Sequence, residues 1–80
     1  MTEQQIQSKH IKHLEAQGYY VIKLIKTNKN GIPDLVAIPK DSDAMFIEVK
    51  TPTGRLSELQ KYRLKELSEH GVKAYVYRNE

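Results

Sequence analysis

Apolar positions along the chain follow two spacings, one helical and one alternating. From Glu3 to Gln17 the spacing is helical. At about 100° per residue, Glu3, Ile6, His10, His13, Leu14 and Gln17 share one side of the wheel, with Ile11 on its flank. Thr2 followed three residues later by Gln5 is a capping box and Gly18 is a stop, so the pattern predicts a helix from Thr2 to about Gln17. Ser57-Glu58-Leu59-Gln60 is a second capping box, opening a helix predicted to run to about His70, before Gly71. Leu56, Leu59, Leu64 and Leu67 form its apolar side, expected to face the sheet, and Gln60 falls inside that stripe. A polar residue aimed inward needs partners. Its amide either caps the backbone of Ser57 or reaches toward a neighbouring strand.

Four other stretches are apolar, aromatic or β-branched and read as strands: Tyr19–Ile25, Asp34–Ile38, Met45–Lys50 and Val72–Tyr77. Pro39 to Ala44 is rich in turn formers, which makes the second and third strands an antiparallel hairpin. Pro52 and Gly54 forbid continuation of the third strand. The order is αβββαβ: an α/β fold with one mixed β-sheet and two helices, expected as a single domain over residues 1–80. The pattern leaves open whether the helices lie on one face.

Composition narrows the chemistry. The chain has no cysteine, which excludes disulfides, thiolate zinc sites and a cysteine nucleophile. It carries 13 Lys and Arg against 10 Asp and Glu, a net charge of +3, and a pI near 9.2. That balance permits a polyanionic partner without demanding one. No apolar run reaches membrane-spanning length and the amino terminus lacks a secretion signal, so no membrane partner and no secretion are expected. The glycines are too sparse for a nucleotide-cradling loop. His10 and His13 lack the i,i+4 spacing of a helical metal site, and they read as packed or solvated.

What chemistry remains is bunched at strand ends. A strand sends residues i and i+2 to one face, so Glu48 and Lys50 point the same way, and the hairpin sets Asp34 near Glu48. Two carboxylates there repel unless a cation sits between them, and hard divalent cations with oxygen ligands suit that gap. A neighbouring ammonium orients water or meets a phosphate oxygen. The trio is the chemistry of metal-assisted phosphodiester hydrolysis. The competing reading is a turn aspartate and an ordinary solvated Glu-X-Lys. Glu3 either complements the helix dipole or directs a further carboxylate at the same site. The Lys26–Gly31 loop, with Lys29, is either a phosphate contact or a solvated turn. Arg55, Lys61, Arg63 and Lys65 surround the start of the second helix and suit a polyanion backbone.

Glu3 with Ile6-Gln7, Gly31-Ile32-Pro33-Asp34-Leu35, Glu48-Val49-Lys50, and Gly54-Arg55-Leu56-Ser57 leading to Gln60 together resemble the PD-(D/E)XK nuclease superfamily, in particular its small VRR-NUC (virus-type replication-repair nuclease) group. Each motif is weak alone; their order and spacing cover nearly the whole chain. The resemblance implies a restriction-endonuclease-like αβββαβ core in the stand-alone minimal form. It implies that Asp34 and Glu48 hold Mg²⁺ or Mn²⁺ with the Val49 carbonyl, that Glu3 adds a carboxylate directly or through water, that Lys50 positions or activates water, and that Gln60 supports the site. Lys29, Arg55 and Lys61 are the expected DNA contacts. It further implies a homodimeric endonuclease that cuts branched DNA such as Holliday junctions to 5′-phosphate and 3′-hydroxyl ends. A viral or mobile-element setting suits it, with the protein in the cytoplasm or wherever host or viral DNA resides. Two other classes stand beside it: a non-catalytic nucleic-acid-binding module on the same scaffold, and a small protein-interaction domain, which would need an exposed apolar patch.

Overall fold

A computed structural model describes residues 1–79. The elements are α1 (Glu3–Ala16), β1 (Tyr20–Lys23), β2 (Leu35–Ile38), β3 (Met45–Lys50), α2 (Glu58–Glu69) and β4 (Lys73–Arg78). This is the αβββαβ order predicted from the pattern. The strands lie side by side in chain order. β1–β2 and β2–β3 are antiparallel, whereas β3–β4 is parallel, with α2 as the crossover.

Both helices begin as the capping boxes require. Thr2 Oγ1 accepts from Gln5 N, and the Gln5 side chain accepts from Thr2 N. Ser57 and Gln60 repeat the exchange at α2. Each reciprocal pair satisfies two amide donors that a helix start leaves free. Gly18 and Gly71, just past the two ends, take φ of 94° and 81°, a conformation that costs glycine little.

The first strand is shorter than its composition predicts. Leu24 N donates to Asp34 O at 2.8 Å, and one step further the facing residue is Pro33, which has no N–H to return. β1 therefore ends at Lys23, leaving Ile25 exposed. β2 starts at Leu35, with Asp34 immediately before it. β4 lies one residue later than expected and takes in Arg78.

Cross-strand partners share a face, so the register sorts the sheet into two. One face carries Leu35, Ala37, Ile47 and Val49, all fully buried, and α1 covers it with Ile6 and Leu14. Tyr19, Val21, Met45, Tyr75 and Tyr77 pack around that core. Burying a large aliphatic side chain contributes about 1.5–3 kcal/mol, so this single layer holds most of the stabilising area. Of the wheel side predicted for α1, Ile6, His10 and Leu14 are buried, and His13 and Gln17 stay exposed.

The other face is different. It carries Tyr20, Ile22, Val36, Ile38, Phe46, Ala74 and Val76, and none of these is buried. Its buried residues are polar: Glu48 and Lys50. α2 lies on this side along β4, yet none of its residues is buried and Leu59 remains 41% exposed. The leucines expected to face the sheet are thus covered only in part: Leu56, Leu64 and Leu67 are half-buried and Leu59 is open. One 12-residue helix is too narrow for a four-stranded sheet, and it leaves the β1–β2 half open.

Candidate active site

Pairing brings the predicted acids together. Extending the Leu35↔Ile47 register by one residue sets Asp34 opposite Glu48. Asp34 Oδ2 accepts from Val49 N at 2.8 Å, which locks the carboxylate against β3. Glu48 is 2% exposed. Burial, the charge of Asp34 and a hydrogen bond with it, and more weakly Glu3, push its carboxyl from 4.5 up to about 8, against the opposing pull of Lys50. At neutral pH the Glu48 carboxyl thus largely keeps its proton, since a second bare charge beside Asp34 would be repelled.

Gln60 fulfils both readings of its place in the α2 stripe. Its Oε1 accepts from Ser57 N at 2.9 Å, and its Nε2 donates to Glu48 Oε2 at 3.2 Å. Lys50 projects from the same face as Glu48, and its Nζ lies 3.8 Å from Glu3 Oε2. The amino terminus of α1 is thereby held beside the end of β3. Among the described residues no group of three or more His, Cys, Asp or Glu side chains stands ready-made as a metal cluster. The structure brings together Asp34, Glu48, Lys50 and Gln60, and it places Glu3 on the lysine side of them.

The chain matches the family model of the VRR-NUC domain over residues 1–79. The chain belongs to the VRR-NUC family. A solved structure named as a VRR_NUC domain superposes on it with a TM-score of 0.84 at 27% identity, over 95% of this chain and 84% of the other. A second, named as a VRR_NUC domain protein, gives a TM-score of 0.83 at 21% identity over 99% and 79% of the two chains, a likeness of fold. The comparison with curated proteins gives no match. VRR-NUC is a nuclease domain with a PD-(D/E)XK-related fold, which supports nuclease activity in general.

Basic residues flank the VRR-NUC acids on two sides. Lys29 lies in the β1–β2 loop, which with Asp34 lines a cavity of about 320 Å³. Thr27 Oγ1 donates to Lys29 O at 2.6 Å and braces the loop. Arg55 and Lys61 line a second cleft with Gly54, Glu58 and Arg78, and Lys61 Nζ is 3.5 Å from Glu58 Oε1. Arg63 is not free for a polyanion: its Nε donates to Asn30 O at 2.9 Å and its Nη1 to Glu66 at 3.0 Å. It ties α2 to the β1–β2 loop. The i,i+3 spacing of Arg63 and Glu66 was the available signal. At Gly31, whose φ is 79°, an added Cβ would stand 2.7 Å from Leu59 Cγ, so the loop approaches α2 as closely as only glycine permits.

Sequence reasoning missed Arg78. Its Nη1 donates to Thr51 O at 2.8 Å and also to Gly54 O. The guanidinium thus holds the turn that leaves Lys50. Nothing near it in sequence marks this role; only the parallel β3–β4 pairing sets Arg78 opposite Lys50.

Proposed function

We propose that this chain is a metal-dependent, structure-selective DNA endonuclease that works as a homodimer on branched DNA such as Holliday junctions, leaving 5′-phosphate and 3′-hydroxyl ends. The observation that carries the reading is the contact between Asp34 and a buried Glu48, next to Lys50. Their donor set fits a hard divalent cation: two close carboxyls, one holding a proton in the place a cation would take. Mg²⁺ or Mn²⁺ would be held by Asp34 and Glu48, with the Val49 carbonyl and Glu3 as further oxygen donors. Bound there, the ion supplies Lewis-acid stabilisation of the charge that grows on the phosphate.

The remaining work falls to the chain itself. Gln60 holds Glu48 in one orientation through Nε2. Val49 N does the same for Asp34. The Lys50 ammonium orients the attacking water and meets the phosphate oxygens, and Glu3 steadies that ammonium. Lys29 on one side, and Arg55 and Lys61 on the other, contact the DNA backbone and set its register over the acids.

The test is cleavage of end-labelled four-way junction, flap and linear duplex by wild type and Lys50→Ala, each with Mg²⁺, Mn²⁺ or EDTA. Paired nicks across the junction that vanish with the lysine or the metal are expected. Metal-independent binding without cleavage of any substrate would overturn the reading in favour of a non-catalytic binding module.

A further inference from the structure

β3 outruns its neighbour on one side. The β2–β3 ladder ends at Leu35↔Ile47, so Glu48, Val49 and Lys50 extend beyond it, whereas β4 stays paired to the end of the strand, at Lys50↔Arg78. Asp34 Oδ2 secures Val49 N. Lys50, one residue further, depends on β4 and on the turn that follows. Its ion pair holds it only loosely: Nζ lies 3.8 Å from Glu3 Oε2, beyond hydrogen-bond length, and the Glu3 side chain is 46% exposed. The Lys50 side chain itself is nearly buried. The walls around its stem, and the backbone that carries it, therefore decide where the ammonium stands.

Arg78 governs those walls. The turn over residues 51–54 is closed by Gly54 N, which donates to Thr51 O at 3.1 Å. Arg78 Nη1 donates to the same Thr51 O at 2.8 Å and also to Gly54 O. One NH2 group, with two N–H bonds in the fixed plane of the guanidinium, ties both ends of the turn to β4. The turn in consequence lies against the ion pair: a Cβ added at Gly54 would stand 3.6 Å from Glu3 Oε2. Charge alone does not account for this arrangement, since both acceptors are neutral carbonyls.

We infer that Arg78 is a positioning residue for the proposed reaction: by clamping the 51–54 turn to β4 it holds the Lys50 ammonium, and its partner Glu3, beside Asp34 and Glu48. The inference deepens the nuclease reading and rests on it for what the ammonium does. Where the ammonium stands is independent of that reading.

The experiment pairs two readouts on the full chain. Cleavage of the end-labelled four-way junction in Mg²⁺ gives kcat and KM. The ε-methylene signals of Lys50 in isotope-labelled protein without DNA or metal, identified by their loss in Lys50→Ala, report the surroundings of the ammonium. Arg78→Lys keeps the charge and loses the planar pair of donors. It should lower kcat about 100-fold, the scale of a misplacement of about 1 Å. KM should stay nearly unchanged, and the Lys50 signals should move towards those of the exposed lysines. Ala74→Gly weakens β4 with the guanidinium intact, so it should lower the urea midpoint and keep kcat. Should Arg78→Lys not fold, Arg78→Met, which keeps the apolar stem, takes its place with the same expected fall in kcat and the same shift. Retained kcat with a raised KM and a shallower salt dependence would overturn the inference and make Arg78 a phosphate contact. Unchanged Lys50 signals would overturn it whatever happens to the rate. A wild type that cleaves nothing removes the nuclease reading, and the Lys50 signals alone then decide whether Arg78 holds the ammonium.

Discussion

Gln60 and Glu48 are joined by a 3.2 Å hydrogen bond from an amide that also closes the α2 capping box through Ser57 N. One side chain therefore starts a helix and orients an acid on a strand. The two duties can be separated. Gln60→Glu keeps an acceptor for Ser57 N and loses the donor to Glu48. Its urea midpoint should stay close to wild type while single-turnover cleavage falls about 10–100-fold, the usual loss when the partner of a metal-site ligand is removed. Ser57→Ala should do the reverse, costing about 1 kcal/mol in stability with cleavage retained.

Asp34 serves the fold through Val49 N and, in the proposed reaction, the chemistry through its charge. Asp34→Asn retains an acceptor for that N–H and should fold at near-wild-type stability without cleaving. Asp34→Ala should also be inactive, and leaving the Val49 amide without a partner should cost about 1–3 kcal/mol more. Chemical denaturation of the two variants gives the comparison. Equal stabilities would mean that the hydrogen bond adds nothing to the fold.

Glu48 makes the metal-free protein sensitive to alkali. Its folded carboxyl, at about 8, binds a proton more tightly than the unfolded value of 4.5. The stability it contributes is thus fully present below 4.5 and is lost as pH rises through 8, on the order of a few kcal/mol over that window. Glu48→Gln should flatten this fall in EDTA-treated protein and abolish cleavage. For wild type, Mg²⁺ should raise Tm more at pH 8.5 than at pH 6, because the ion competes with the proton. A pH profile of Glu48→Gln identical to wild type would place the effect elsewhere.

His10 acts in the opposite sense. It is buried 3.6 Å from the Tyr77 ring in a near-parallel stack, and neither ring nitrogen has a partner. Burial, helped by the nearby charge of His13, lowers its pKa below 6.5. The stability it contributes is present above 6.5 and lost as pH falls below it. His10→Phe keeps a ring on Tyr77 and removes two unpartnered nitrogens, so it should be more stable than wild type by about 1–3 kcal/mol. Urea midpoints at pH 5 and 7.5 should show the larger gain at pH 5.

Much of this architecture was legible before any coordinates because its signals are local. A capping box needs a side chain to reach three residues along, and Thr2 with Gln5 and Ser57 with Gln60 both form as written. Alternation within a strand puts Glu48 and Lys50 on one face, and the Pro39–Ala44 turn returns β3 against β2 so that Asp34 meets Glu48. Those relations depend on backbone geometry over a few residues, and the tertiary fold had little room to alter them.

What lay beyond reach depends on contacts between distant segments. A leucine stripe on α2 looks the same whether the helix lies over the middle of the sheet or beside β4, and only packing showed that Leu59 stays open. Arg78 became part of the site because parallel pairing aligned it with Lys50, 28 positions earlier in the register of β3 and β4. Arg63 was spent on Asn30, 33 residues away. Charge and periodicity are properties of a residue and its neighbours, whereas burial and partnership are properties of the whole chain after closure, and only closure left one face of this sheet covered and the other half open.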